Sequence, residues 1–188
     1  AGPQDLILSD ALNHASIIDG CRLSRASVQI VPHADVAALR SALERSRDKF
    51  RRRLIVVESC FSMDGDLAPL AAIQSLAREH ECIFVVDEAH AVGVLGAEGR
   101  GLTALLDVRP DVLVVPLGKS FGLQGAFVGG TAQLRSFLWN RARSFVFSTG
   151  ISPAIAAAIP ERLGLLRDAD DLRQRLLGMA AGWRVGLR

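Results

Sequence analysis

Apolar residues fall into two rhythms along the chain. Short, largely apolar runs, Leu6–Leu8, Val28–Val31, Leu54–Val57, Ile83–Val86, Val112–Val115 and Ala126–Val128, have the length of strands with both faces covered. Between them, apolar positions recur at helical spacing. Val36, Leu39 and Leu43 follow Asp35, a ready cap, and Leu67, Leu70, Ile73 and Leu76 follow the turn Met63-Asp-Gly-Asp66. After Val128 the pattern predicts helix from about Ala132 to Arg143, from Pro153 to Arg167 and from Ala169 to Leu187, with a break at Phe145-Val-Phe-Ser-Thr-Gly150. Doubly apolar strands alternating with helices predict an α/β domain: a mostly parallel sheet with helices on both faces, in three layers. Ligands of such sheets gather beyond the carboxyl ends of the strands.

Composition narrows the partners. With 188 residues and 49% hydrophobic content, the chain can bury one large core. Its 22 basic and 20 acidic residues leave a net charge of +2, which gives no footprint for nucleic acid. The cluster Arg51-Arg-Arg53 reads as a solvated helix or turn end. Cys21, Cys60 and Cys82 are odd in number and lie in or beside apolar segments, which suits buried thiols in a reducing cytoplasm. No apolar run approaches the roughly 20 residues that span a bilayer, so no membrane partner is expected. The chain starts at Ala-Gly-Pro, without initiator Met or secretory leader, and runs at once into a strand, so it is expected to be a piece of something longer.

Chemistry enters with lysine, of which there are two. Lys49 sits in a polar run, whereas Lys119 follows an apolar strand and is bracketed by Gly118 and Gly122. A lysine at a strand mouth, partly out of water, is suited to attack a carbonyl and form a Schiff base. Another strand ends in Asp87-Glu-Ala-His90. Lys on one strand end, with Asp and His on another, suggests pyridoxal 5'-phosphate (PLP). Asp87 would keep the pyridine nitrogen protonated, while His90 and Ser62 would hydrogen-bond the phenolic oxygen. Alone, Asp87 would pass for a helix cap and His90 for an ordinary polar residue. A nucleotide-binding reading of Asp87-Glu-Ala-His90 and Gly118-Lys-Ser120 fails, because the phosphate loop needs glycine where Leu113 stands and should precede the acidic strand. No metal site is expected.

Four spaced segments then carry a resemblance: Leu12-Asn-His-Ala-Ser16, Val57-Glu-Ser-Cys-Phe-Ser-Met-Asp-Gly-Asp66, Asp87-Glu-Ala-His90 and Gly118-Lys-Ser-Phe-Gly122. Together they resemble the α-oxoamine synthases, fold-type-I PLP enzymes that join an amino acid to an acyl-CoA with loss of carbon dioxide. The resemblance implies the large domain of that fold, with residues 1–180 as its central part and 181–188 as a helix leading to a C-terminal small domain. It makes Lys119 the lysine that carries the cofactor and later removes the substrate α-proton. His14, by itself a polar loop histidine, becomes the imidazole stacked on the ring. Ser62, Asp87 and His90 keep their ring contacts, and Thr149 reaches the phosphate of the neighbouring subunit. The implied partners are an amino acid, an acyl-CoA or acyl-carrier thioester, and a second copy of the chain. One departure is Pro116, where the family usually has a phosphate-binding threonine; another is that the family's glycine-rich phosphate loop is not recognisable. These departures keep open a non-catalytic homologue that only pairs with a partner subunit.

Overall fold

All six expected strands form in the computed structural model, which describes residues 1–186. They are β1 (Asp5–Asp10), β2 (Ser27–Val31), β3 (Arg52–Glu58), β4 (Ile83–Asp87), β5 (Val112–Pro116) and β6 (Ala126–Gly130). Their order is β2-β1-β3-β4-β5-β6, parallel throughout except for β6, which closes one edge antiparallel to β5. The helices are α1 (Ala15–Leu23), α2 (Val36–Arg45), α3 (Leu70–Glu79), α4 (Leu102–Leu105), α5 (Ala132–Arg141), α6 (Arg143–Val146), α7 (Pro153–Arg167) and α8 (Asp170–Gly186). From β1 the chain crosses through α1 to β2 on one side, then through α2 to β3 on the other. Right-handed crossovers in opposite directions put α1 and α2 on opposite faces of the sheet, giving the expected layered α/β architecture.

The pleat decides what each face holds. Leu6, Leu8, Val31, Ile55, Val57, Phe84 and Val86 point one way and meet Leu39, Leu43, Ile73 and Leu76 of α2 and α3 in the main core. A smaller cluster at the end of β5 joins Val115, Leu117 and Phe121 to Ile159 and Leu166 of α7. The face under α1 is thinner: Val28 and Ile30 are exposed, but Ser9 and Glu58 on this same face are buried.

Three local expectations are corrected. The helix expected from Leu67 starts at Leu70 with Pro69 as its cap, and Leu67 instead bridges to Cys60; proline disfavours helical backbone in the residue before it, here Ala68. The break expected at residues 145–150 is displaced: α5 already ends at Arg141 with Ala142 extended, and Phe145 and Val146 belong to the short α6. The Arg51–Arg53 cluster is more than the expected solvated end: Arg51 and Arg52 are exposed, but Arg51 and Arg53 also act as tethers. Arg51 forks onto buried Asp5 at 3.1 and 3.0 Å and holds its carboxyl below the usual range, and Arg53 donates to the carbonyl oxygens of Leu43 and His80. The last two positions of the expected 181–188 segment lie outside the described residues. Cys21, Cys60 and Cys82 are free thiols, and burial pushes the pKa of each up. No described helix is long and apolar enough to cross a membrane.

Glu88 turns to the core side, opposite its neighbour Asp87, and is fully buried. It accepts from Ser59 Oγ at 2.9 Å and from the first amides of α4, Leu102 N at 3.1 Å and Thr103 N at 2.7 Å. The carboxylate thus caps a helix that has no capping side chain of its own. Gly101 is part of this device: its φ is 93°, and a Cβ there would lie 2.6 Å from Glu88 Oε2. Glu88→Ala strands three buried donors, so urea unfolding of the full-length protein should show a loss of roughly 3 kcal/mol or more. Glu88→Gln, which keeps the acceptor oxygen, should lose less. Equal midpoints for Glu88→Ala and the parent chain would refute this account of the cap.

Candidate active site

The sequence-predicted residues come from separate segments that the sheet brings to its carboxyl edge. His14 follows β1, Ser62 follows β3, Asp87 ends β4, His90 lies three residues on, and Lys119 follows β5. Register makes the central contact. Glu58 is paired with Asp87 across β3 and β4, so both carboxylates project side by side on the α1 face. Glu58 has no role in the sequence reading, although it stands in the Val57–Asp66 segment and directly follows the apolar run Leu54–Val57; counting the pleat across paired strands finds it.

His14 is fixed by its backbone as much as by its ring. Asn13, almost fully buried, donates to Val56 O at 2.8 Å and Ser9 Oγ at 2.9 Å, and its Oδ1 accepts from Glu58 N at 3.1 Å. The His14 amide donates to Glu58 Oε1. His14 also caps α1, its Nδ1 accepting from Ser16 N at 3.2 Å. The Asn13-His14 pair is thereby stapled to the end of β3, and the exposed imidazole stands over the same edge as Asp87.

The electrostatics tie the members together. Burial pushes the Asp87 carboxyl above its usual pKa, opposed by the Ala89 N–H bond at 2.8 Å and by the charges of Lys119, His14 and His90. Burial raises Glu58 likewise, against the His14 N–H bond, with the neighbouring Asp87 charge pushing the same way as burial. Burial lowers His90, and the Lys119 charge adds to that. Asp87 Oδ2 makes no hydrogen bond among the described residues. A half-buried carboxylate whose charge is disfavoured, with one oxygen free at the site, suits a cationic ring nitrogen opposite it. The donor set therefore fits PLP.

Lys119, expected to be partly out of water, is instead exposed, in a turn closed by backbone bonds, Leu117 N to Gly125 O at 2.9 Å, Leu123 N to Leu117 O at 2.9 Å and Gly122 N to Lys119 O at 3.0 Å. Behind it, Gly93 has φ 85°, and a Cβ there would meet Ser120 Cβ at 2.4 Å, so the loop after β4 packs directly on the residue following Lys119. Ser62 is exposed at the same edge and has no side-chain hydrogen bond within the described residues. Thr149 is not brought into contact with the others. It lies exposed after α6, beyond Phe145, Val146 and Phe147, which are themselves 56%, 40% and 79% exposed. Pro116, at the end of β5 opposite Ala126, has no N–H to offer a phosphate. No described group of three or more His, Cys, Asp or Glu residues is placed to hold a metal ion.

A lysine and a half-buried carboxylate at adjacent strand ends of a mostly parallel sheet suit a PLP-dependent transferase. In keeping with this, the chain belongs to the aminotransferase class I and II family, whose model matches residues 1–188. Within that family the resemblance is to α-oxoamine synthases. The chain is 43% identical to 8-amino-7-oxononanoate synthase 2 of Bacillus subtilis over 98% of its own length and 47% of that protein. It is 45% identical to 8-amino-7-oxononanoate synthase of Geobacter metallireducens over 99% and 48%. Serine palmitoyltransferase from S. paucimobilis, solved with a bound PLP–myriocin aldimine, superposes with a TM-score of 0.89 at 30% identity, covering 95% of this chain and 46% of that one. The chain spans about half the length of the curated relatives it matches.

Proposed function

We propose that the protein containing this chain condenses L-alanine with a pimeloyl thioester, on CoA or a carrier protein, with loss of carbon dioxide, to give 8-amino-7-oxononanoate for biotin synthesis. The observation that carries the reading is the meeting of Asp87, His90, His14 and Lys119 at one sheet edge, at and just beyond the carboxyl ends of β1, β4 and β5. PLP, when bound, supplies an electron sink for a carbanion formed beside its ring. Lys119 would hold the cofactor, and its amine, when free, would serve as the base for the α-proton of the amino acid. Asp87 would keep the ring nitrogen protonated. His90 and Ser62 would donate to the phenolic oxygen, and His14 would cover the ring face. On this reading residues 1–180 are the central part of a large domain, 181–188 lead to a small domain, and the reaction runs in the cytoplasm.

The test is substrate-resolved. Full-length protein with PLP is given alanine, glycine or serine, each with pimeloyl-CoA or acetyl-CoA, and products are read by mass spectrometry. Only alanine with the pimeloyl thioester should release carbon dioxide efficiently. Efficient turnover of glycine with acetyl-CoA would instead support glycine C-acetyltransferase, which shares the Leu12–Gly20 motif. No turnover with any pair would support the non-catalytic partner reading, which Pro116 favours.

Assembly gives a further prediction. Phe145, Val146 and Phe147 form an exposed apolar strip, as expected for a surface covered in an oligomer. In a two-fold homodimer such a strip carries Thr149 to the opposite subunit's cofactor phosphate. With Pro116 donating nothing, Thr149→Val should weaken PLP retention in the full-length protein by roughly 1.5–3 kcal/mol. A full-length protein that sediments as a monomer yet holds PLP tightly would contradict this.

A further inference from the structure

A cluster outside the catalytic set links two of its walls. His33, in the turn after β2, bonds through both ring nitrogens to carboxylates on different strand-end loops: Nδ1 to Asp10 Oδ1 at 2.9 Å and Nε2 to Asp66 Oδ2 at 2.7 Å. The Asp10 carboxylate organises its own loop, whereas the Asp66 carboxylate projects from a loop closed by backbone bonds. Asp10 ends β1, and its Oδ1 accepts from Leu12 N at 2.9 Å, setting the turn that presents Asn13 and His14. Its Oδ2 accepts from Ala34 N at 2.9 Å, holding Ala34 at φ 52°, a conformation unfavourable for a residue with a Cβ. Asp66 closes the loop carrying Ser62: Phe61 N donates to Asp66 O at 3.0 Å, and Gly65 N to Phe61 O at 2.9 Å. Phe61, fully buried, packs edge-on against the imidazole with centroids 4.4 Å apart. The ring is thus bonded at both ends and held by an aromatic wall.

We propose that His33 is a positioning residue for the site, a cationic clasp that locks the His14 loop to the Ser62 loop and so sets the spacing of the two side chains that flank the cofactor ring. The proposal rests on the PLP reading for what the two loops hold, but the clasp itself is a property of the protein alone. The charges acting on the imidazole are Asp10, from the end of β1, and Asp66, from the loop after β3. Burial by itself would lower the His33 pKa, but the bonds and charges of the two carboxylates outweigh it, and the pKa is raised. A pKa raised on folding means the clasp contributes fully below the unfolded value and is lost as pH rises through the folded one. The two loops should therefore loosen together on the alkaline side of the ordinary histidine range.

The experiment uses full-length protein and follows amide hydrogen exchange of residues 10–14 and 61–66, corrected for the intrinsic pH dependence, beside the visible circular dichroism of bound PLP. His33→Gln can hydrogen-bond but carries no charge; both loops should lose protection together, at least roughly tenfold, as for loss of a charged hydrogen bond, and the dichroism should fall. His33→Lys keeps a cation facing both carboxylates and should recover part of both signals. If His33→Gln does not fold, Asp66→Asn serves instead: it should loosen 61–66 more than 10–14 and bring the alkaline transition to lower pH. Unchanged protection in both loops, loosening of one loop alone in His33→Gln, or a lysine variant no better than glutamine would overturn the proposal. Wild-type protein that takes up no PLP would sink the proposed function instead, and the exchange measurements would still decide on the clasp.

Discussion

Replacing Lys119 by alanine in the full-length protein should abolish the visible absorption of bound PLP and leave the fold intact. The side chain is exposed, and the backbone bonds that close its turn do not involve its amine. Truncation should therefore cost the structure little. Activity should fall by at least roughly 10²–10⁴-fold, the contribution of a positioned general base alone, before the loss of covalent attachment is counted. Borohydride treatment of the parent protein should fix the cofactor to a peptide containing Lys119. Lys49, the other lysine, lies in the turn before β3, away from the carboxyl edge. A band that survived dialysis in Lys119→Ala would transfer the role to another amine.

Asp87→Asn should separate chemistry from stability in the opposite sense to Glu88→Ala. Asparagine keeps an oxygen for the Ala89 amide, and burial already disfavours the Asp87 charge, so the variant should unfold at or near the parent midpoint. An amide, however, cannot hold a ring nitrogen protonated. Exchange of the alanine α-hydrogen with solvent deuterium should slow by roughly 10²–10³-fold, the scale of losing one preorganised electrostatic contact. Near-normal exchange would reduce Asp87 to a strand-end cap.

The strands were legible because their faces are apolar enough to declare themselves without partners, and the site because Lys119 and Asp87 stand at strand ends. What was not legible depended on contacts between segments distant in sequence. The first helix, Ala15–Leu23, escaped because only Cys21 is buried along it and because its cap is a histidine rather than Ser, Thr, Asp or Asn. Glu58 escaped although it too stands at a strand end, because its importance comes from standing in register with Asp87. His33 lay unremarked just before the Asp35 cap, since neither Asp10 nor Asp66 is its neighbour until the loops fold over the sheet edge. Thr149 remains the member whose place depends on a surface this chain does not itself cover.

The pleat at the end of β4 has a consequence at the level of the gene. Asp87 and Glu88 are adjacent letters serving opposite sides of the sheet. Loss of a single codon within Ile83–Val86 would bring Glu88 opposite Glu58 and turn Asp87 inward. The shorter carboxylate would then fall short of the α4 amides, and the longer one would crowd the catalytic edge. One event would damage folding and chemistry together, with no single compensating substitution to restore both. Surface turns such as residues 47–49 hold no such double assignment and should accept changes of length. Tolerance to insertion and deletion in this chain should therefore be lowest in β4.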